Sequence, residues 1–401
     1  LSDIKLSDCV GRIKESPTLA ITAKAARYKS EGKDIIGLAA GEPDFDTPQH
    51  IKDAAKKAID NGFTKYTPVS GIPSLKKAII EKFKRDNNLE YNANEIIVSV
   101  GGKQCIFNFC LAVLNAGDEV IIPAPYWVSY ADIALVSNAK PVIVECGIEQ
   151  KFKMTAKQLE KAITPKTKLL MLNSPSNPTG AVYSKEELDS LAKILTKHPN
   201  ILIGTDDMYE HVKLMDIPFY NILNVEPSLK DRCVVMNGVS KAYSMTGWRI
   251  GFAAGPCDII KAMEILQSQS TSNPTSISQV AAEAALSGEQ ACMQPMIKAF
   301  RERHDYVIKS FNEIPGLSCI EAQGAFYAFP DARKAIERLY DQKILKEKTD
   351  LALADYLLEK EGVAIVPGSV FGSDGYFRIS FATSMDNLVE AMKRIKRALT
   401  V

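Results

Sequence analysis

The sequence predicts an α/β fold: a large domain built on a mostly parallel sheet flanked by helices, followed by a smaller α+β domain. Three observations predict it. The chain has 401 residues, too many for one compact core, so two domains are expected. Through its middle, short apolar runs alternate with helical patterns, as in a parallel sheet whose crossover helices cover both faces. After about Gly288 a long helical pattern gives way to separated strands and helices, the texture of an α+β unit.

The elements follow in order. Ile96–Val100, Glu119–Ile122, Pro141–Glu145, Leu169–Leu172, Ile201–Gly204, Cys233–Met236 and Ile250–Ala254 read as buried strands. Between them, Gln104–Leu114, Ser129–Val136, Ala156–Ile163 and Lys185–Leu195 read as helices. The second unit offers a helix over Met296–Asn312 and strands at Leu317–Glu321 and Ala325–Phe329. A helix at Leu351–Glu361, strands at Val363–Val366 and Tyr376–Phe381, and a helix at Met385–Leu399 complete it. The first residues carry Gly and Pro punctuation and little sheet pattern, so they are expected to dock on the second unit. The boundaries read as 1–45 for this segment, 46–290 for the large domain and 291–401 for the small one.

Composition narrows the function. With 49 basic and 48 acidic residues, nothing favours nucleic acid or an anionic membrane as partner. No apolar run is long enough to span a bilayer, and the first 20 residues lack a basic start followed by an apolar stretch. The eight cysteines are scattered, no CxxC occurs, and His50, His198, His211 and His304 do not cluster with them. Buried free thiols in a reducing, cytoplasmic setting are expected, and no metal site.

The polar clusters fall just past the ends of the predicted strands. Gly101-Gly102-Lys103 follows the first, Pro125-Tyr126-Trp127 the second, and Asn173-Ser174-Pro175-Ser176-Asn177-Pro178-Thr179-Gly180 the fourth. Asp206-Asp207-Met208-Tyr209 follows the fifth and Ser240-Lys241 the sixth. Ligands of open parallel sheets bind outside the carboxyl ends of the strands, so these segments point to one shared site. A lysine in mostly apolar company after a buried strand can be held neutral and nucleophilic, the state that condenses with an aldehyde. Arg249, eight residues on, could return as an anion clamp. Taken singly the signals are weak. A lone loop lysine is usually solvated, an Asp after a strand is as often a helix N-cap, and an Asn between prolines is usually a turn residue.

The run Ser240-Lys241-Ala242-Tyr243-Ser244-Met245-Thr246-Gly247-Trp248-Arg249 resembles the lysine motif of the aspartate aminotransferase superfamily of pyridoxal-phosphate (PLP) enzymes. Other segments resemble the same family in the same order. They are Gly41-Glu42-Pro43-Asp44-Phe45, Asn177-Pro178-Thr179-Gly180, Asp206 with Tyr209, and Phe377-Arg378-Ile379-Ser380. The likeness covers nearly the whole chain and is greatest to the bacterial and plant Iβ subgroup.

The resemblance implies a role for each position. Lys241 would carry PLP and then serve as base. Asp206 would pair with the ring nitrogen and keep the ring an electron sink, while Tyr209 and Asn177 would hydrogen-bond the phenolic oxygen. The amides of Gly101 and Gly102 at a helix start, with Ser240 and Arg249, would cradle the phosphate. Tyr66 would reach the phosphate of a partner subunit in a homodimer, and Trp127 would stack on the ring. Arg378 would grip the substrate α-carboxylate with Gly41 nearby; an arginine amid apolar strand residues needs such a partner. Lys103, at the pocket wall beside the phosphate glycines, would take a distal carboxylate with help from Thr18.

Two departures stand out. Gly238 occupies a position where animal members carry a phosphate-binding serine. Asp207 stands where many relatives have Glu, and is expected to be solvated or capping. The implied activity is ping-pong transfer of an amino group between aspartate, or a related amino acid, and 2-oxoglutarate. Alternatives are an aminotransferase specific for aromatic amino acids, prephenate or arogenate, and a PLP-dependent lyase of the same fold. A nicotinamide dehydrogenase is disfavoured because no G-x-G-x-x-G follows a strand.

Overall fold

The computed structural model describes residues 4–13 and 17–400, without the side chains of residues 17–19. Its strands are, in chain order, β1 (Ile36–Gly37), β2 (Ile96–Ser99), β3 (Glu119–Ala124), β4 (Lys140–Glu145), β5 (Thr167–Asn173) and β6 (Leu202–Asp206). These are followed by β7 (Cys233–Gly238), β8 (Gly251–Ala254), β9 (Tyr327–Ala328), β10 (Val363–Ala364), β11 (Val366–Pro367) and β12 (Phe377–Ser380). Seven of them form one sheet in the order β2-β8-β7-β6-β5-β3-β4. Every pairing in it is parallel except those of β8, which runs against both β2 and β7.

The apolar runs form central strands because both faces of the sheet are covered. Side chains alternate between faces along a strand. Leu170, Val235 and Phe252 therefore pack into one apolar cluster with Ile79 and Phe83, while Leu169, Val234 and Ala253 join Phe109 and Ile106 on the other face. A third cluster, around Phe300, Phe326 and Phe377, forms the core of the smaller unit. Among the described residues no helix is long and apolar enough to cross a membrane.

The smaller unit departs from its expected strands. Leu317–Glu321 forms no strand, only an isolated bridge between Ser318 and Asp331. The Asn312 side chain bonds both the N–H and the carbonyl of Cys319, each at 2.9 Å, and so takes the groups a neighbouring strand would use. The run Val363–Val366 is split at Ile365. β10 pairs in parallel with β1, whereas β11 pairs with β12, which is flanked on its other edge by β9. A segment from the start of the chain is thus stitched to one near its end.

Asp207 is neither solvated nor a cap. It is buried, it accepts from the Asn221 Nδ2 at 2.7 Å, and burial pushes its carboxyl pKa well up. Beside it lies a buried polar network centred on Glu210, which pairs with the ammonium of Lys82. Glu210 also accepts from Asn87 Nδ2 at 2.6 Å and Asn237 Nδ2 at 2.9 Å. Ligand atoms of Asp86, Glu210 and His211 come within 4.8 Å of one another, but the Lys82 ammonium already supplies the positive charge at Glu210. Lys82 holds the Glu210 carboxyl far below the usual carboxylate range despite burial.

Removing one member of a buried pair strands the other charge, whereas replacing both is far milder. Glu210→Ala is therefore expected to lose roughly 3–5 kcal/mol of stability, read by chemical denaturation. The paired Lys82→Met, Glu210→Gln variant keeps an acceptor for the Asn237 amide, its new N–H can donate to the Asn87 Oδ1 that Lys82 releases once that amide flips, and it should recover more than half of that loss.

Candidate active site

The carboxyl ends of β2, β5, β6 and β7 open into one cavity of about 260 Å³. The side chains that line it from the large sheet stand at the last residue of a strand or in the segment that follows it. After β2, Gly101 adopts φ +81° and leads into the helix Gly102–Val113; a Cβ at Gly101 would fall 2.2 Å from Arg249 Nη2. The guanidinium can press against this helix start because no side chain intervenes. Arg249 is itself left-handed, at φ 58°, and its Nη1 donates to the Thr246 carbonyl at 2.8 Å. Lys241 and Arg249 both lie on the connection between β7 and the returning β8. That reversal is how residues eight apart come to face one cavity.

Asp206 ends β6. It is buried, its Oδ2 accepts from the Tyr130 hydroxyl at 2.6 Å, and its Oδ1 accepts from the Met208 amide at 3.2 Å. Burial raises its pKa; the two hydrogen bonds oppose that rise. Lys241 donates its amine to the Gly41 carbonyl. Burial first, opposed by Glu42 and reinforced by Arg378 and Arg249, lowers its pKa to about 8. Asn173 is a strut between strand ends. Its Nδ2 bonds the Asp206 carbonyl at 2.8 Å and its Oδ1 accepts from the Asn177 amide at 2.8 Å.

The smaller unit closes the cavity. Arg378, on β12, is 2% exposed. Its Nη1 donates to Asn177 Oδ1 at 2.8 Å and its Nη2 to the Ala39 carbonyl at 2.7 Å, while the buried Nε has no partner. Among the described residues no carboxylate pairs with it. Burial pulls its pKa down. Tyr327, on β9, faces the same space, its hydroxyl 2.7 Å from that of Tyr209. Lys103 stands at the open edge. The residue is exposed as a whole, its ammonium lies 5.0 Å from the Trp127 ring centroid, and desolvation followed by Arg249 keeps it below the usual lysine range.

Most residues singled out in the sequence therefore meet. Lys241, Ser240, Arg249, Asp206 and Tyr209 line the cavity with Asn177, Trp127, Gly102 and Lys103, and Gly41 and Arg378 line it from the other side. Gly101 lies just behind, against Arg249. Tyr66 does not join them: it is 92% exposed on this chain. Thr18 lies in the helix Pro17–Ser30, and its side chain falls outside the described residues. At Gly238 a Cβ would meet the Ile250 carbonyl at 3.0 Å, so a larger residue would be crowded there. Sequence reasoning missed Tyr130, Tyr327 and Asn173. Tyr130 and Tyr327 sit in patterns that read as ordinary helix and strand, whereas Asn173 belongs to a segment already marked as a polar cluster.

The donor set fits a particular kind of ligand. A bare helix start with an arginine suits a phosphate. A buried acid with spare acceptor capacity suits a cationic ring nitrogen, and a half-buried amine of lowered pKa suits an aldehyde. The orphaned edge of Arg378 suits a carboxylate.

A sequence profile described as aminotransferase class I and II matches residues 33–395. The chain is similar to an aspartate/prephenate aminotransferase of Nitrosomonas europaea, with 64% identity over 99% of this chain and 100% of the other. It is 52% identical to one from Cereibacter sphaeroides, over 98% of each. Among solved structures it is similar to the aspartate aminotransferase of Rhizobium meliloti, with a TM-score of 0.94 and 47% identity, covering 99% of both chains. The Thermus thermophilus aspartate aminotransferase with maleate matches with a TM-score of 0.92 and 41% identity, covering 98% of this chain and 100% of that one. The α/β class expected from the sequence is the fold these proteins share.

A lysine with a pKa of about 8 is half neutral at that pH, and only the neutral amine attacks an electrophile. Acetylation of Lys241 by acetic anhydride in the cofactor-free protein is thus expected to rise through a midpoint near pH 8. Surface lysines should still be rising above pH 9 or so. Peptide mass spectrometry across a pH series checks this, and a Lys241 midpoint like that of the surface lysines would refute it.

Proposed function

This chain belongs to the class I and II aminotransferase family, and from that membership we propose that it transfers an amino group between aspartate and 2-oxoglutarate with pyridoxal 5'-phosphate as cofactor. The observation that carries this reading is one cavity holding a half-buried lysine amine, a buried carboxylate and a buried guanidinium with an unsatisfied edge. Such groups are costly to bury without partners, so a ligand that partners all three is the natural occupant. The names of the relatives put prephenate beside aspartate, which favours prephenate as a second substrate.

The residues divide the work. We assign Asp206 to the ring nitrogen, Tyr209 and Asn177 to the phenolic oxygen, and Trp127 to the ring face. Gly101, Gly102, Ser240 and Arg249 hold the phosphate. Bound there, the cofactor supplies an electron-withdrawing ring that makes the substrate's Cα proton acidic. Lys241 Nζ takes that proton and later returns it; its lowered pKa keeps a large neutral fraction near pH 8 for the task. Asn177 accepts from Arg378 through Oδ1, which leaves its Nδ2 to donate into the cavity. The free Nε edge of Arg378 receives the α-carboxylate beside Gly41. Lys103, with Thr18, takes the far carboxylate that aspartate and prephenate both carry. The amino acid leaves as a 2-oxo acid, and a second 2-oxo acid runs the steps in reverse.

The assembly we infer is a homodimer in which Tyr66 completes the phosphate site of the partner subunit. Its exposure, with Phe63 and Ile59 also exposed nearby in sequence, supports a covered face. We take residues 46–290 as the cofactor domain, residues 291–401 as the domain bringing Arg378, and residues 1–45 as docked on the latter. The pairing of β1 with β10 supports that docking. Free cysteines throughout the described residues agree with a cytoplasmic setting.

The test is a panel of amino donors against 2-oxoglutarate, following oxo-acid production. Aspartate should lead, and Lys241→Ala should lower turnover by several powers of ten because attachment point and base are lost together. Turnover near wild type in that variant would remove Lys241 from the mechanism. Lys103→Ala should cut kcat/KM for aspartate and glutamate by roughly thirtyfold to a thousandfold while sparing alanine and aromatic donors. Equal losses for every donor would move Lys103 to the cofactor.

A further inference from the structure

Tyr327 has no part in the scheme above, yet it touches both ends of it. Its side chain is fully buried. Its hydroxyl lies 2.7 Å from the Tyr209 hydroxyl, and its ring lies under the Arg378 guanidinium, 4.5 Å from centroid to Cζ. The strand register explains the second contact. On β9 Tyr327 pairs with Ser380 of β12, and Arg378, two residues earlier, shares the face of Ser380. Tyr327 and Arg378 are thus diagonal neighbours on one side of the small sheet. The contact with Tyr209 crosses from the small sheet to the end of β6. A Cβ at Gly41 would lie 3.1 Å from the Tyr327 hydroxyl, so a side chain there would crowd that oxygen, and glycine leaves it in place beside Tyr209.

We propose that Tyr327 is a positioning residue for the reaction: its hydroxyl directs the Tyr209 proton into the cavity, and its ring sets the Arg378 guanidinium on the substrate carboxylate. The proposal rests on the roles given above to Tyr209 and Arg378. Two hydroxyls in contact share one proton between their oxygens, so the donor fixes where the other proton points. Burial raises both phenols, that of Tyr209 well up; at Tyr327 the Arg378 guanidinium over the ring, 4.5 Å from its centroid, opposes the rise and leaves that phenol the more acidic of the two. The more acidic phenol is the better donor. Tyr327 then donates to Tyr209, and the Tyr209 proton is left to donate to an anionic ring oxygen. The ionisable groups facing Tyr209 are Asp206 on its own segment, Tyr130 and Lys241 from the large unit, and Tyr327 and Arg378 from the small sheet.

Two substitutions in the PLP-loaded enzyme separate the hydroxyl from the ring. Tyr327→Phe removes only the oxygen. The Tyr209 proton is then less firmly directed, the ring oxygen's anion loses support, and the midpoint of the pH-dependent visible absorbance should rise by about half a unit to one unit. Maleate affinity should stay within about twofold, because the aromatic face remains under Arg378. Tyr327→Leu should raise the midpoint similarly and also weaken maleate about tenfold. A wild-type midpoint in Tyr327→Phe, or wild-type maleate affinity in Tyr327→Leu, would overturn the proposal while leaving the aminotransferase reading intact. A visible band that does not titrate in wild type, or that survives unchanged in Lys241→Ala, would instead sink the site assignment beneath it.

Discussion

Everything in this molecule is arranged around a cavity that must hold charge without neutralising it. Lys241, Asp206 and Arg378 line one cavity, yet the direct partners of Lys241 and Arg378 there are carbonyls and an asparagine amide, and those of Asp206 a phenol and a backbone amide. Paired with one another or with the scaffold, these groups would have little left for a ligand. Neutral hydrogen bonds solve the problem: they fix direction while leaving the charge largely uncompensated. The cost is borne by the surrounding framework, above all by the two well-packed faces of the large sheet.

The sheet meets this demand through its one antiparallel member. Parallel strands end on the same side, so β5 and β6 bring Asn173 and Asp206 to one rim in register. A purely parallel arrangement would send the chain beyond Lys241 into a crossover helix and away from the rim. Because β8 instead returns against β7, the connection between them stays at the rim and presents Lys241 and Arg249 together. The glycine pair at the start of the neighbouring helix then admits the arginine. Buried charge also lies behind the rim, where Glu210 and Lys82 are directly paired. That pair contrasts with the open groups in front: permanent structure uses matched charge, and the site uses unmatched charge.

Legibility in the sequence followed the range of the forces involved. The large-sheet strands were readable because burial on both faces leaves uninterrupted apolar runs. That Lys241, Asp206 and Asn177 share a site was readable because each falls in a polar segment just past an apolar strand; their separate roles came from the resemblance of those segments to the family. Leu317–Glu321 has a strand's pattern but forms none, because the N–H and carbonyl of Cys319 at its centre are taken by Asn312, a side chain outside the run. Tyr130 and Tyr327 were invisible for a related reason. Their importance lies in one hydroxyl contact across the fold, and nothing local distinguishes a tyrosine that makes such a contact from one that merely packs. Asp207 was misjudged because its burial depends on Asn221 and on the Glu210 network rather than on its neighbours in the chain.

The pairing of β1 with β10 has a consequence for the order in which the molecule can be completed. Ile36 finds its partner only at Val363, and Arg378 reaches the Ala39 carbonyl across 339 residues of chain. A nascent chain emerging from the ribosome can assemble the large sheet long before either partner exists. Until then Ile36–Gly37 lacks its strand partner, Ala39 lacks the Arg378 side chain, and the cavity lacks one wall. Closing contacts so distant along the chain is slow because loop entropy must be overcome first. The strand partner of β1 and the Arg378 wall of the pocket are therefore the last parts of the site that synthesis supplies.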